Sequence, residues 1–229
     1  MKTLRPQPGV IESHLGRIPV FAGLSSSDLG ILAERALLRL YAPGERLLEQ
    51  GHPADELFCV ASGAVRVVLL LPAGREKVVH LMTGPGLVAE VPVMMGEDFP
   101  ATAVCTEQCS VVVVPRRALV EVVRRDGELP LRMLASAMSR LRQLTGLLAD
   151  HGQRSAVVRV ASFLLGAAGA ASEVNLHAAK KDVASYLGLQ PESLSRALAS
   201  LRRTGAIEVA DQDIRILDRR LLEQALRDG

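Results

Sequence analysis

Residues 180–209 read KKDVASYLGLQPESLSRALASLRRTGAIEV, and this stretch decides the architecture of the C-terminal part of the chain. A short helical run, Lys180–Tyr186, is broken by Gly188, and Pro191 opens a second helix at the first position, where proline is favoured. Gly205 follows, and two short β-branched runs, AIEV and IRIL, flank a turn at 211–213. The pattern predicts a helix-turn-helix with a two-stranded wing.

The second helix of this motif would present a polar face suited to the major groove of DNA. Arg196 can donate two hydrogen bonds to guanine, Glu192 can accept one from cytosine, and lysines or arginines at the helix ends suit phosphates. The alternative interpretation is a solvated helix face that happens to carry arginines. We therefore predict double-stranded DNA as a partner, contacted by Lys180, Lys181, Gln190, Glu192, Ser193, Ser195, Arg196, Arg202 and Arg203.

Upstream, residues 40–114 consist of short β-branched runs separated by turn signals every eight to twelve residues, which predicts an antiparallel sandwich or barrel. The segment PAGRE at 72–76 is typical of a hairpin tip. Before the strands, SSSDLGILAERALL predicts an amphipathic helix over Ser25–Leu38. The predicted fold class is thus α+β, with an antiparallel β sandwich or barrel followed by helices.

A long helix is predicted from about Glu128 to Asp150, and it carries a narrow apolar stripe at three- and four-residue spacing. Such a stripe is typical of a coiled-coil seam, which favours a parallel homodimer, whereas a helix lying on its own barrel tends to show a wider apolar face. The predicted dimer interface comprises Leu131, Leu134, Met138, Leu141, Thr145 and Leu148.

Composition narrows the class of protein. The 229 residues are 48% hydrophobic, and 27 Lys and Arg against 25 Asp and Glu give a net charge of only +2, so overall charge does not by itself indicate nucleic acid. No apolar run reaches the ~20 residues of a membrane span, and the first residues lack the apolar core of a secretory signal. We expect a cytoplasmic protein without a membrane partner. Because no catalytic triad, P-loop or metal motif is present, no enzyme is predicted.

The chain resembles the CRP/FNR family of transcription regulators. The resemblance rests on APGERLLEQGHPADELFCVASGAVRVV at 42–68, GREKVVHLM at 74–82, the long helix and the motif at 190–209. It implies a β jelly-roll sensor domain over 1–127, a dimerisation helix over 128–150 and a winged helix-turn-helix domain over 151–229. The spacing of Glu192, Ser195 and Arg196 is similar to the FNR-type branch, which implies a TTGAT inverted repeat. The resemblance also implies that the hairpin tip, residues 73–77, contacts RNA polymerase.

Comparison with the family disfavours two effectors. Cyclic-nucleotide binders carry Gly-Glu and, about ten residues later, Arg followed by Ser or Thr; here Ala89 precedes Glu90, and Pro100-Ala101 occupies the second position. A cyclic phosphate would lack a cation there, which argues against cyclic AMP unless Arg66 or Arg75 substitutes. An iron–sulfur cluster needs four thiolates, and the chain has three cysteines, so this cofactor is disfavoured as well.

Among the branches of this family, the sequence is most similar to the DNR type, which is associated with haem and nitric oxide. That resemblance implies haem as a possible cofactor, His14 as its first candidate ligand, and an effector pocket formed by Val88, Glu90, Val91, Met94, Met95, Leu134 and Met138. Three alternatives stay open: a cyclic-nucleotide response, a redox response of Cys105 and Cys109, and a ligand-binding scaffold dimer that does not bind DNA.

Overall fold

The computed structural model describes residues 1–4, 6–150 and 155–227, except for the side chains of residues 8, 73 and 143–150. The chain divides into two compact units, Met1–Arg140 and Leu141–Gly229. The first unit contains two β-sheets with flanking helices, and the second contains helices with one small sheet, so the α+β prediction is confirmed.

The first unit is built on two antiparallel sheets, one of five strands in the order β1-β2-β9-β4-β7 and one of four in the order β3-β8-β5-β6. The strands are β1 (Lys2–Leu4), β2 (Leu37–Tyr41), β3 (Arg46–Leu48), β4 (Glu56–Ser62), β5 (Ala64–Leu70), β6 (Glu76–Thr83), β7 (Gly86–Val88), β8 (Thr102–Cys105) and β9 (Cys109–Pro115).

Strand β9 lies at the centre of the five-stranded sheet, between β2 and β4. Its four consecutive valines, residues 111–114, are at most 1% exposed because both faces of the strand are covered. The helices of this unit are α1 (Pro8–Gly16), α2 (Ser26–Arg35), α3 (Glu90–Met95) and α4 (Arg116–Arg125). Helices α1, α2 and α4 pack against β9, which places the hydrophobic core between these helices and the sheets.

The first predicted helix is shorter than its sequence pattern indicated. Helix α2 begins after the Ser25 cap, whose side chain accepts from Asp28 N at 3.1 Å, but it ends at Arg35. Ala36 is extended and Leu38 pairs with Val112 of β9. The prediction that this helix reaches Leu38 was therefore wrong, because pairing with a distant strand overrode the local helical spacing.

The predicted hairpin tip is confirmed. A 3₁₀ turn, Pro72–Gly74, joins β5 to β6, and Gly74 has the positive φ of +70° that favours glycine. The long helix is α5 (Leu129–Asp150), close to the predicted bounds. Leu129 and Met133 of α5 belong to the core of the first unit, and the Arg132 guanidinium donates to Val20 O at 3.0 Å.

The second unit contains a helical core and one three-stranded sheet in the order β10-β12-β11. The predicted hairpin is present, with Asp211 at a positive φ of +56° in its turn. A further strand, which the sequence pattern did not predict, pairs with the second strand of this hairpin. The elements are α6 (Ala156–Ala168), β10 (Glu173–Asn175), α7 (Lys180–Tyr186), α8 (Pro191–Arg203), β11 (Ile207–Ala210), β12 (Asp213–Ile216) and α9 (Arg219–Arg227).

Candidate functional site

Helices α7 and α8 form the predicted helix-turn-helix. Gly188 allows the turn between them, with a φ of +66°. The Arg159 guanidinium of α6 donates to Leu187 O at 3.4 Å and to Gly188 O at 3.3 Å, so it satisfies carbonyls at the C-terminal end of α7. The faces of α7 and α8 that pack into this unit are apolar and at most 6% exposed: Val183, Ala184, Leu187, Leu194, Ala197, Leu198 and Leu201.

The opposite face of α8 is polar and open to solvent. Of the nine residues predicted to contact DNA, Ser193 is half-buried and the other eight are exposed. The Ser195 hydroxyl donates to Pro191 O at 3.0 Å, so its oxygen remains able to accept. One Arg196 nitrogen donates to Ser193 Oγ at 3.3 Å, which orients the guanidinium while leaving its other donors available. Lys180 and Lys181 open α7, whereas Arg202 and Arg203 close α8.

The outward face of α5 carries the predicted apolar stripe. Four of its members are about half exposed in the isolated chain: Leu131 58%, Leu134 54%, Met138 47% and Leu141 51%. Thr145 and Leu148 complete the predicted interface, but their side chains lie outside the described residues. An exposed apolar line of this kind on a regular helix is typical of an interaction surface.

The residues predicted to form an effector pocket do not come together. Val88 and Glu90 are buried and Met94 is half-buried, but Val91, Met95, Leu134 and Met138 are between 47% and 61% exposed. The reason is the side of each helix on which these residues lie. In α3, Glu90, Pro92 and Val93 are buried, which leaves Val91 and Met95 on the exposed side, and α5 directs its apolar stripe away from the sheets.

One cavity of the first unit lies against the polar face of α5. It measures about 210 Å³ and lies between the α1–α2 connection, strand β6, the turn before β7 and α5. Its lining comprises Ile18, Pro19, Val20, His80, Met82, Pro85, Gly86, Leu87, Ser136 and Arg140. Two of these side chains, His80 and Arg140, are titratable, so the cavity combines apolar walls with polar groups.

Arg140 links this cavity to a buried carboxylate. Its guanidinium forms an ion pair with Glu90, which is 3% exposed, and one nitrogen donates to Glu90 Oε2 at 3.1 Å. A second nitrogen donates to Ser136 Oγ at 3.3 Å. Burial lowers the pKa of Arg140, and burial together with the nearby charge of Arg140 lowers the pKa of His80 to about 4. The Glu90 charge is therefore neutralised within the protein.

Sequence reasoning missed Arg140 and Ser136. A signal was available, because Arg132, Ser136 and Arg140 are spaced by four residues and so share one face of α5. These three residues lie on the side of α5 opposite to the apolar stripe. Their spacing would have indicated that this polar side of the helix packs against the first unit.

Two family models match the chain. A cyclic nucleotide-binding domain matches residues 38–126, and a Crp-like helix-turn-helix domain matches residues 158–225. The nitrogen fixation regulation protein FixK of Bradyrhizobium diazoefficiens is 30% identical over 190 residues, which cover 78% of this chain and 77% of that protein. The chain belongs to the CRP/FNR family of transcription regulators. It is accordingly a DNA-binding regulator of transcription and not an enzyme.

Solved structures of this family agree with the fold of the regulator. The structure of FixK2 from Bradyrhizobium japonicum has a TM-score of 0.76 and 26% identity, covering 83% of this chain and 96% of that chain. DNR from Pseudomonas aeruginosa has a TM-score of 0.52 and 28% identity, covering 96% and 99%. DNR is thus one structural neighbour among several. The similar proteins include FixK and FNR-type regulators as well as the DNR-type branch that the sequence resemblance favoured.

The described residues of this regulator do not fit a haem centred on His14. His14 lies on α1, is half-buried and does not line the cavity, whose histidine is His80. The cavity is also smaller than the roughly 300–1,000 Å³ of usual small-molecule sites. We therefore assign no chemistry to haem here. Within the part of the chain that the structure describes, no helix is both long and apolar enough to cross a bilayer.

Proposed function

We propose that this regulator binds DNA as a homodimer and that helix α8 of each protomer reads one half of a TTGAT inverted repeat. The observation that carries the proposal is the exposure of Glu192, Ser195 and Arg196 on one polar face of α8, whose opposite face is apolar and buried. Arginine pairs with guanine, glutamate accepts from cytosine, and serine contacts a base edge.

The ends of the two helices supply the phosphate contacts in this proposal. Lys180 and Lys181 lie in the first turn of α7, and Arg202 and Arg203 lie in the last turn of α8. Contacts of this type position the protein without reading sequence, and they make affinity fall steeply with salt. A non-DNA-binding scaffold would show neither this salt dependence nor a preference between operator sequences.

Two copies are required because an inverted repeat presents two half-sites related by a two-fold axis. The apolar stripe of α5 supports the proposed dimer: Leu131, Leu134, Met138 and Leu141 expose about half of their surfaces.

The same helix carries Ser136 and Arg140 in the wall of the cavity. An effector bound there would contact the helix that forms the dimer, which is how we propose that effector binding alters DNA affinity.

The hairpin tip between β5 and β6 is the proposed contact for RNA polymerase. Gly74, Arg75 and Glu76 of this tip are exposed, and the tip projects from the four-stranded sheet at the end of the β5–β6 hairpin. The proposal follows the family resemblance, and substitution of Arg75 should lower transcription activation without changing operator affinity.

The test of the DNA proposal compares three single-alanine variants of the full chain on a fluorescent duplex carrying the TTGAT inverted repeat. Arg196→Ala should weaken binding by about 5- to 150-fold and relax preference at one base pair of each half-site. Lys181→Ala should weaken binding to all duplexes alike and reduce the salt slope by about 1. Arg220→Ala, an exposed arginine on α9, is the matched control and should change neither.

Anisotropy titrations at several salt concentrations, on the repeat and on duplexes with one substituted base pair, separate these outcomes. If Arg196→Ala keeps the sequence preference of the unmodified chain, the assignment of α8 as the reading helix is wrong. If the affinity of the unmodified chain for every duplex is the same at low salt and at high salt, the DNA-binding proposal itself fails.

A further inference from the structure

The cavity against α5 has apolar walls that are fixed by hydrogen bonds. These walls come from the α1–α2 connection, strand β6 and the turn that leads into β7, and they comprise Ile18, Pro19, Val20, Met82, Pro85 and Leu87. The α1–α2 connection is tied to α5, because the Arg132 guanidinium donates to Val20 O at 3.0 Å. The turn before β7 is held by Gly84 N, which donates to Gly63 O at 2.8 Å. Two of the walls are therefore formed before any ligand binds.

The cavity can be reached from solvent and has room for a small molecule. Pro19 and Pro85 are exposed, whereas Ile18, Val20 and Leu87 are buried, so a ligand can enter past the prolines and lie against the buried side chains. The volume is about 210 Å³. Because an apolar cavity of about 150 Å³ holds benzene, we expect a ligand of roughly six to ten non-hydrogen atoms.

This cavity differs from the place where cyclic-nucleotide binders of the family hold ribose and phosphate. The corresponding positions in this chain are Ala89, Glu90, Pro100 and Ala101, and none of these four lines the cavity. The polar groups of the lining are instead His80 of β6 and Ser136 and Arg140 of α5. These three side chains determine which class of ligand the cavity accepts.

The charges beside the cavity are already compensated. One nitrogen of Arg140 donates to Glu90 Oε2 at 3.1 Å, and another donates to Ser136 Oγ at 3.3 Å. An anionic ligand would place a second negative charge beside the buried Glu90 carboxylate, and Arg140 would repel a cationic ligand. His80 is uncharged near neutral pH, because burial and the charge of Arg140 lower its pKa to about 4. The cavity therefore favours an uncharged ligand.

Two polar groups of the lining are available for hydrogen bonds to a ligand. The Ser136 oxygen accepts from Arg140, and its hydroxyl hydrogen meets no acceptor among the residues that the structure describes. His80 likewise makes no hydrogen bond within the described part of the chain, and a neutral imidazole offers one N–H donor and one acceptor nitrogen. A ligand hydroxyl group matches this set, because it can donate to the ring nitrogen and accept from the Ser136 hydroxyl.

We propose that this cavity binds a small uncharged molecule with an apolar body and one hydroxyl group. The apolar body lies against Ile18, Val20 and Leu87, and the hydroxyl group faces His80 and Ser136. The assignment rests on the proposed role of the cavity as the effector site, and it adds the chemical class of the ligand. Through Ser136 the ligand contacts α5, the helix of the proposed dimer interface.

Titration of the full chain with four probes that share a benzene ring tests this class. Benzyl alcohol carries a hydroxyl group, toluene no polar group, benzoate a negative charge and benzylammonium a positive charge. In methyl NMR spectra, the signals of Ile18, Val20, Met82 and Leu87 should shift together on addition of benzyl alcohol, with a dissociation constant of about 1 mM or tighter.

The other three probes should bind less well. Toluene should bind about tenfold more weakly than benzyl alcohol, because it offers neither a donor nor an acceptor to His80 and Ser136. Benzoate and benzylammonium should leave the four methyl signals unshifted at the concentration at which benzyl alcohol saturates the cavity.

Two variants test the polar contacts. Ser136→Ala should weaken binding of benzyl alcohol by about tenfold and leave binding of toluene unchanged. Ser139→Ala replaces an exposed serine of α5 that does not line the cavity, so this matched control should change neither affinity. His80→Leu should remove the preference for benzyl alcohol over toluene. Because toluene needs no polar contact, its binding reports that the cavity of each variant is intact.

The proposal is wrong if the four methyl signals do not respond to benzyl alcohol, or if any other probe binds as tightly. Equal effects of Ser136→Ala and Ser139→Ala would also contradict it, as would a His80→Leu variant that keeps the preference for benzyl alcohol. Operator binding by the ligand-free chain is measured in parallel by anisotropy. A chain that binds benzyl alcohol but no operator contradicts only the DNA proposal, and a chain that binds the operator but no probe contradicts only the ligand class.

Discussion

Substitution of Leu134 by glutamate tests the proposed dimer most directly. Leu134 lies near the middle of the exposed stripe on α5, with Leu131 and Met138 on either side, and 54% of its surface is open in the isolated chain. It makes no contribution to the core of the first unit. The Leu134→Glu variant should therefore fold normally and fail only in association.

The expected magnitude follows from the area that a dimer would cover. Covering the open part of one Leu134 side chain removes about 100 Å² from water, worth about 2.5 kcal/mol at about 25 cal/mol per Å². A two-fold axis doubles the loss and also brings two glutamates close together. After allowance for imperfect burial, the dissociation constant of the dimer should rise by about 1,000-fold, equivalent to about 4 kcal/mol.

Sedimentation equilibrium over a range of concentrations measures this constant. Ser139→Glu is the matched control: it adds the same charge to an exposed position of α5 that lies off the stripe, and it should leave the dimer intact. Far-ultraviolet circular dichroism confirms that both variants are folded. A Leu134→Glu variant that remains dimeric with the unmodified dissociation constant would refute the assignment of the stripe as the interface.

Three further perturbations address the cavity and its surroundings. The pKa of His80 is lowered from 6.5 to about 4, so the unfolded chain binds a proton that the folded chain does not; the free energy of unfolding should fall by about 2 kcal/mol from pH 6.5 to pH 4. His80→Gln should reduce this dependence of the unfolding free energy on pH, measured by urea titrations at several pH values. An unchanged dependence would contradict the role of His80. Arg140→Met leaves the Glu90 carboxylate buried without its cation and should lower the free energy of unfolding by about 3 kcal/mol. Adding Glu90→Gln to that variant should restore part of the loss, and strict additivity would show that the two groups do not interact. Ala89 has a φ of +58°, so Ala89→Gly should raise the free energy of unfolding by about 0.5 kcal/mol by thermal or urea unfolding, whereas destabilisation would argue against the left-handed conformation.

Local signals predicted the DNA-binding motif closely. Pro191 opens α8, Gly188 allows the preceding turn, and apolar residues at helical spacing form the buried faces, so neighbouring residues were sufficient to place these elements. The long helix was also placed to within one residue at its start, because its apolar stripe is regular. The strand β10 was missed, since three residues in a small-residue segment become a strand only by pairing with β12.

The packing around the cavity of the first unit was not predicted from the sequence, because it depends on contacts between distant segments. Glu90 and Arg140 are 50 residues apart and form an ion pair in the folded chain. The predicted apolar pocket assumed that the stripe of α5 faced the sheets, but the stripe is exposed and the polar line faces them. Sequence periodicity identifies two faces of a helix and does not specify which face meets which neighbour.

The amino-acid sequence alone therefore determined the family resemblance, the helix-turn-helix, the wing hairpin and the exposed residues of α8, since each depends on spacing within a few turns of chain. The tertiary structure decided which side of α5 packs on the sheets and how Glu90 is neutralised. These features arise because burial energy is shared among segments far apart in sequence, and only their packing selects one arrangement.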